Sequence, residues 1–562
     1  MQFNKKCSKL STRIISVMLI AAMILATFAG CSKPATPDVT VPTTTTNPTT
    51  NPTTVTDPTD PTDPTDPTDP TDPVDPTEDP TEAPTDAPTD PTEEPTNAPT
   101  EAPTQKPTEP PVTEPPATEP PATEPPTEPE VNKLNGTNLS EFVIVYSEND
   151  YDYSKRAAQF IQSEILARTG VSLTLIKDTA ASTGKYEIVV GETSRGISSR
   201  LTPPSGCVQF AILAEENQIA LEGEYFVVAA AAYYFVETYI PTSGYSAQIP
   251  QKVSVHDPIV KEAKNFIMLI GDGMGFKQTT LFDIMENTYD YGDGENSFYG
   301  YYLPAHGLSK TKSLSGITDS AAGGTALSTG WKTKNGYVGQ DKEHQELESL
   351  TELAGAMGMS TAVMSTEVQT GATPAAFSAH ADDRDMSDMI KKSQKELQAA
   401  YGTIIDCDYD YYTASGVLSI ENKVRTNLKT LSKNEKGFFM MYEEAYIDKH
   451  CHNQDKENTF MTIVRFNQVI ATVMEYAFYN PDTFVLITAD HETGGLTINK
   501  KGEYLYTSND HTSTDVPVFA YGAGSELFDN QTIQNIQIPQ TIASFMGVHD
   551  FGDQSQYKAL TK

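Results

Sequence analysis

From residue 32 to residue 131 the chain repeats Thr-Asp-Pro and Thr-Glu-Pro triplets, as in Thr56-Asp57-Pro58-Thr59-Asp60-Pro61. This stretch holds 29 of the 39 prolines and almost no apolar side chains. Burial therefore cannot offset the entropy of ordering it. Proline fixes φ, and 22 acidic residues set against Lys33 and Lys106 repel one another. The expectation is a disordered linker of extended, polyproline-II character, with a reach of ~300 Å at ~3.1 Å per residue. Its Thr-Pro density also permits O-glycosylation. A packed core must come from the 431 residues that follow, enough for two domains.

The formal net charge of −37 divides along the same line. The linker contributes −20, residues 1–31 contribute +4, and residues 132–562 carry −21. A surface of that sign repels a nucleic-acid backbone, so a polymeric nucleic acid is excluded as partner. A small phosphorylated substrate is not excluded, because bound cations invert local electrostatics. Residues 1–31 read as an export signal: Lys5, Lys6, Lys9 and Arg13 precede the apolar run 14–26, which is short for a bilayer span. Phe28-Ala29-Gly30-Cys31 resembles a bacterial lipobox, with Phe28 where Leu is usual. The expectation is lipidation at Cys31, a membrane anchor, and a place on the extracellular face of the cell membrane. Cys207, Cys407 and Cys451 are too few and too irregular for a disulfide framework, although one pair is allowed.

Residues 132–260 read as a small α/β accessory domain. Strands are expected at 142–146, 186–190, 208–213 and 218–221. A helix is expected at 153–169, where Ala157, Ala158, Phe160, Ile161, Ile165 and Leu166 recur at three- and four-residue steps, and another at 226–236. The pattern faintly resembles the α/β domain that precedes the catalytic domain of some secreted glycoside hydrolases. That implies packing or presentation, with carbohydrate contact as the lesser alternative.

Residues 261–562 carry the chemistry. The apolar run Phe266-Ile267-Met268-Leu269-Ile270 leads straight into Gly271-Asp272-Gly273-Met274-Gly275. Phe438-Phe439-Met440-Met441-Tyr442 ends at Glu443, and Phe484-Val485-Leu486-Ile487-Thr488 ends near Asp490-His491. Continuous apolar runs suit buried parallel strands. In open α/β sheets, ligands bind at the carboxyl edge of such strands. One acidic residue there could be a helix cap, but three together point to a metal site. Asp448, His452, Asp490, His491 and His511 are of the types that bind Zn²⁺, and Asp448-x-x-x-His452 puts two of them one helical turn apart. Ser320, in Thr318-Asp319-Ser320-Ala321-Ala322-Gly323-Gly324, stands at an expected helix start, where amides favour an anion and small neighbours allow close approach. By pattern alone a plain N-cap serine explains it as well.

The motifs Gly271-Asp272-Gly273-Met274-Gly275, Thr318-Asp319-Ser320-Ala321-Ala322, Ala372-Thr373-Pro374-Ala375, Ile447-Asp448-Lys449 and Thr488-Ala489-Asp490-His491 together resemble bacterial alkaline phosphatases, in the family's order. The resemblance implies a three-layer α/β/α sandwich around a mostly parallel sheet. It implies hydrolysis of small phosphate monoesters through a phosphoserine at Ser320, with Arg384 binding the phosphate. It assigns Asp448, His452 and His511 to one Zn²⁺, and Asp272, Asp490 and His491 to a second. Thr373 and Glu443, with Asp272 bridging, go to a third, Mg²⁺-type site. Two metals then act as a clamp for in-line phosphoryl transfer. A homodimer is also allowed.

Two departures stand out. Gly371 occupies the position where the family usually carries Asp or His, so water completes the third site or its metal binds weakly. The segment 387–437 lacks the expected Gly-rich strand and loop. Asp319 is expected to orient Arg384, Lys449 to face either phosphate or solvent, His380 to make a structural hydrogen bond, and Cys451 to be a buried structural thiol. His450 matches no ligand position. The rival readings are a phosphodiesterase or sulfatase on the same fold, and a non-catalytic surface protein that binds carbohydrate.

Overall fold

The structure is a computed structural model that describes residues 132–148, 152–181, 185–240, 244–282, 297–408 and 416–561. The expected signal, lipidation site and linker lie outside the described residues.

The first sheet comes from β1 (Phe142–Tyr146), α1 (Tyr153–Thr169), β2 (Thr174–Lys177), β3 (Tyr186–Val190), β4 (Phe210–Glu215), β5 (Gln218–Glu222), α2 (Val228–Tyr239) and β6 (Ser254–His256). Its order is β2-β1-β3-β5-β4-β6; the first four strands run parallel, and β4 is antiparallel to both neighbours. The apolar positions of α1 drive its packing: Ala157, Ala158, Ile161 and Ile165 are all fully buried. The expected helix at 226–236 opens with a 3₁₀ turn at Tyr225–Val227 and extends to Tyr239, because Phe235, Val236 and Tyr239 continue the buried face. β2 is half exposed and β6 is three residues long, so neither has the apolar alternation that marks a strand in sequence.

The second sheet is larger. Its elements are β7 (Asn265–Gly271), β8 (Ala305–Lys310), α3 (Ser320–Thr329), α4 (Leu350–Ala356), β9 (Ser360–Ser365), α5 (Ala372–Ala376), α6 (Ser387–Tyr401), β10 (Ile404–Cys407), α7 (Gly416–Leu431), β11 (Phe438–Glu444), α8 (Tyr446–His452), α9 (Lys456–Tyr479), β12 (Thr483–Thr488), β13 (Val516–Tyr521), β14 (Thr532–Gln534) and α10 (Gln537–Phe545). Strand order is β10-β9-β11-β7-β12-β13-β8-β14, parallel except that β13 opposes both β12 and β8. Alternate side chains of the strands enter two cores. Ile267, Leu269, Met440 and Val485 pack with Val424 and Leu428 of α7 and Phe466 and Ile470 of α9. Phe266, Met268, Met441 and Leu486 pack with Leu327 of α3, Leu353 of α4 and Ile542 of α10. Helices therefore cover both faces, which gives the expected three layers. The segment 387–437 supplies α6, the edge strand β10 and α7.

The boundary expected at residue 260 separates two sheets but not two cores. The core on the α9 side of the large sheet continues without a break into the small sheet's α1 and α2. The Phe160 ring stacks on Tyr479 with centroids 4.3 Å apart, and Phe226 faces Phe478 at 6.1 Å. Glu475 of α9 accepts from Arg156 Nε at 2.7 Å and forms an ion pair with Arg425 Nη2 at 2.9 Å, tying α1 to α7 through one buried carboxylate. α9 is apolar nearly all round because it has protein on both sides.

The shared core predicts one cooperative unfolding event for residues 132–562. Phe226→Ala should lower the stability of that single transition by about 3–5 kcal/mol. Scanning calorimetry resolving two independent transitions, with Phe226→Ala moving one of them alone, would contradict it.

Candidate active site

The parallel register places the acidic side chains at one edge. Ile270 of β7 pairs with Glu443 of β11 and with Thr488 of β12, and Ser365 of β9 pairs with the same Glu443. Asp272 follows the end of β7 and Asp490 follows the end of β12. Asp448 and His452 lie on α8, one turn apart, just beyond β11. His511 arrives from a short antiparallel pairing of Glu492–Thr493 with His511–Thr512.

In the first cluster, His452 Nε2 and His511 Nε2 are 3.1 Å apart, at 3.3 Å from Asp448 Oδ2 and 3.6 Å from Asp448 Oδ1 respectively. The Nδ1 of His452 donates to the Asn509 carbonyl at 2.7 Å, and that of His511 to the Thr318 carbonyl at 2.8 Å. A carbonyl only accepts, so each Nδ1 carries the proton and each Nε2 directs a lone pair at the other. Hydrogen bonding to Asp448 raises His452 to about 9. Two imidazole nitrogens bound tetrahedrally at about 2.0–2.1 Å from Zn²⁺ sit about 3.3 Å apart, which matches the observed pair.

In the second cluster, His491 Nε2 lies 3.2 Å from Asp490 Oδ2, 3.5 Å from Asp272 Oδ1 and 3.2 Å from Ser320 Oγ. Asp490 Oδ1 accepts from the amides of Gly273 and His491 at 3.2 and 2.9 Å, while its Oδ2 has no hydrogen-bond partner among the described residues. The same holds for Asp272 Oδ1, Thr373 Oγ1 and Glu443 Oε1, whereas Glu443 Oε2 accepts from Ser365 Oγ. Asp490 and Glu443 are fully buried and Asp272 is 5% exposed. Burial, with Asp448 adding its charge, pushes Asp490 up to about 7. Burial and the charges of Asp490, Asp448 and Glu443 push Asp272 well up, and burial with the charge of Glu367 lifts Glu443 to about 8. Asp490 and Glu443 each keep one oxygen hydrogen-bonded and one bare, and Asp272 keeps its Oδ1 bare. Divalent cations are what such a donor set fits. Ligand atoms of Asp448, His452 and His511 lie within 4.8 Å of one another, as do those of Asp272, Asp448 and His491. Asp448 thus faces both clusters, a position the sequence reading gave to the first alone.

Ser320 opens α3, its Oγ toward His491. Asp319 caps that helix by accepting from Ala322 N at 3.0 Å, and its other oxygen takes Gly336 N at 2.9 Å and Arg384 Nη1 at 3.3 Å. The guanidinium is thereby tied to the residue that precedes Ser320. Gly323 and Gly324 let α3 come close: a Cβ on Gly323 would meet Asp490 Cβ at 3.1 Å, and one on Gly324 would meet Ala376 Cβ at 3.1 Å and Thr373 Cα at 3.3 Å.

Several expected details find a definite place. Cys451 is buried against Thr459, Tyr506 and Gln278, and burial pushes its thiol up to about 12. Cys207, Cys407 and Cys451 are all free thiols. Lys449, its side chain 39% exposed, donates to Glu367 at 2.6 Å and lies over the Tyr446 ring. The sequence reading missed Glu367, Thr493 and Ser365. Thr493 Oγ1 donates to Asp448 Oδ1 and accepts from His491 Nδ1, which fixes that imidazole's tautomer. Glu367 and Ser365 stand at the end of β9, the same strand-end signal as the others, but Ser360-Thr361-Ala362-Val363-Met364-Ser365 is too polar to stand out as a buried strand.

A model of the family described as Alkaline phosphatase matches residues 263–417 and 412–507. Alkaline phosphatase 4 of Bacillus subtilis (strain 168) is 29% identical over 317 residues, covering 46% of this chain and 68% of the relative. Alkaline phosphatase 3 of the same strain is 28% identical over 299 residues, covering 44% and 65%. The chain thus spans about two thirds of the length of these relatives. The solved structure of alkaline phosphatase from the Antarctic bacterium TAB5 is 26% identical, with a TM-score of 0.46, covering 52% of this chain and 100% of that one.

His380 supplies a pH test away from the acidic edge. Its Nδ1 donates to the Gly339 carbonyl at 2.8 Å and its Nε2 meets Glu352 Oε1 at 2.9 Å; Glu352 also closes the capping box of α4. Burial opposes the charge on His380, but Glu352 raises its pKa above 6.5. Burial likewise opposes the charge on Glu352, but His380 and Ser349 lower its pKa below 4.5. The imidazolium's contribution is complete below 6.5 and fades as pH rises through the raised value; the carboxylate's is complete above 4.5 and fades as pH falls through the lowered one. The difference in Tm between the wild type and His380→Gln should therefore peak between pH 4.5 and 6.5 and shrink on either side. A difference independent of pH would refute the charged pair.

Proposed function

We propose that residues 261–562, a metal-dependent phosphatase domain of which residues 263–507 match the alkaline phosphatase family model, hydrolyse phosphate monoesters in two in-line steps through a phosphoserine at Ser320. The observation that carries this reading is the Ser320 hydroxyl at the start of α3, 3.2 Å from His491 Nε2 and beside the bare oxygens of Asp272 and Asp490.

The donor sets suit three ions. Asp448, His452 and His511 would hold one Zn²⁺; Asp272, Asp490 and His491 a second; Asp272, Thr373 and Glu443 a harder, Mg²⁺-type ion. Such ions supply Lewis-acid stabilisation of the negative charge that develops on the attacking and leaving oxygens. The chain's own residues do the rest. The start of α3 sets the Oγ direction, and Arg384, steadied by Asp319, offers a fork to two non-bridging phosphate oxygens. In the first step the Ser320 Oγ–P bond forms, the ester P–O bond breaks, and the alcohol leaves with a proton. In the second, water attacks phosphorus, the P–Oγ bond breaks, and Ser320 regains its proton. A Ser–His hydrolase reading of the Ser320–His491 contact is disfavoured, because the same Nε2 also faces two carboxylates and is no free base.

A monoester dianion presents the free oxygens that this arginine and the cation donors suit; a diester has one fewer. Full-length protein loaded with Zn²⁺ and Mg²⁺ should turn over a nitrophenyl phosphate monoester far faster than its diester, and chelation should abolish both activities. Ser320→Ala should lower kcat on the monoester by at least about 10³-fold. Full activity in Ser320→Ala, or faster diester turnover, would defeat the reading.

The location belongs to the same proposal and rests on the sequence of residues 1–131. Lipidation at Cys31 would anchor the protein, and the acidic linker would hold the phosphatase domain out from the extracellular face of the cell membrane. Residues 132–260 would then serve packing or presentation, with carbohydrate contact as the lesser alternative. In a cell fractionation, the wild type should sediment with membranes and Cys31→Ser should be released; equal release of both would remove the anchor.

A further inference from the structure

Gly371 has an ordinary backbone, with φ −57°, so conformation does not demand glycine there. Space does. A Cβ at 371 would overlap the Glu367 side chain, with Cδ at 2.7 Å, Cγ at 2.8 Å and Oε2 closer still. The turn closed by Gly371 N donating to the Val368 carbonyl at 2.8 Å brings residue 367 back beneath residue 371. The Glu367 carboxylate therefore fills the volume that a side chain at 371 would take.

That carboxylate is firmly placed. The Glu367 amide donates to Ser365 Oγ at 2.9 Å, the hydroxyl that also binds Glu443 Oε2. The Glu367 carbonyl accepts from Asp408 N at 2.8 Å, and Oε1 takes Lys449 Nζ at 2.6 Å. Close by are two fully buried atoms without a hydrogen-bond partner among the described residues, Thr373 Oγ1 and Glu443 Oε1.

We propose that Glu367, reaching in from four residues upstream and steadied by Lys449, replaces the side chain missing at 371 and completes the hard-cation pocket of Asp272, Thr373 and Glu443. This rests on the third-site reading above. Mg²⁺ is bound through few carboxylates and keeps much of its own hydration. Glu367 is then a positioning residue, an outer acceptor for that hydration, with its reach limited by the lysine. The expectation that water alone completes a weakened site gives way to a carboxylate delivered from another position. The ion pair also sets a sign: removing Glu367 should weaken Mg²⁺ binding, whereas removing Lys449 should strengthen it by freeing a negative charge.

The test is calorimetric titration of Mg²⁺ into the zinc-saturated full-length protein, with zinc content and Tm as controls. Glu367→Gln should weaken Mg²⁺ about 10- to 100-fold with zinc content unchanged. Lys449→Met should tighten it, and Glu367→Gly combined with Gly371→Asp should restore it. If Glu443→Gln abolishes Mg²⁺ uptake while Glu367→Gln binds as the wild type does, the third site stands and the role of Glu367 falls. If the wild type takes up no Mg²⁺ after zinc saturation, the third-site reading falls and the proposal falls with it.

Discussion

The structure depends on one unfavourable arrangement: acidic side chains crowded without water at the carboxyl edge of a parallel sheet. Register imposes it. Since β7 pairs with β11 and β12 residue for residue, Glu443 comes out level with Ile270 and Thr488, and Asp272 and Asp490 follow two residues beyond that pair, whatever their charges. Burial then raises each of them, and the Nε2 atoms of His452 and His511 face each other across 3.1 Å. No packing of side chains alone relieves this. Cations do, and the fixed oxygens show that the chain has prepared for them: one oxygen of Asp490 and one of Glu443 are held by hydrogen bonds while the other stays bare. Preorganised donors of this kind cost no rearrangement when charge develops on a substrate.

The surrounding elements follow from that edge. α3 begins at the nucleophile and approaches closely because Gly323 and Gly324 carry no side chain toward Asp490 and Thr373. Asp319 serves two ends at once, capping α3 and holding Arg384, so Ser320 and Arg384 keep a fixed relation. Behind the sheet, α9 lies between the large sheet and the N-terminal one, and Glu475 links it to both sides. The accessory sheet thereby stiffens a helix that supports the strands bearing the site. The chain's strong negative charge is no obstacle to an anionic substrate, since the carboxylates at the edge serve cations.

Much of this was legible in the sequence where the physical signal is local. Continuous apolar runs marked β7, β11 and β12 to within one or two residues, and the acidic residues at their ends marked the site. The motif order brought in Arg384 and Thr373, which simple periodicity could not, and gave Ser320 a role beyond that of a plain N-cap. Non-local features stayed hidden. β13 opposes its neighbours although its composition resembles that of a parallel strand, because direction depends on the connection and not on the residues. The boundary at 260 marks a change of sheet, while the core across it forms from residues more than 200 positions apart, such as Phe226 and Phe478. Glu367 was invisible because its role depends on a turn folding it under Gly371, a relation that spacing does not reveal.

The central claim is that the acidic edge exists to let Ser320 take a phosphoryl group. The most direct measurement is to incubate the zinc-loaded protein with labelled inorganic phosphate, quench it in acid, and map the label by peptide mass spectrometry. The account predicts a phosphate ester on Ser320 in the loaded protein and none after chelation. Label on another residue, or the same label with the metals removed, would contradict it.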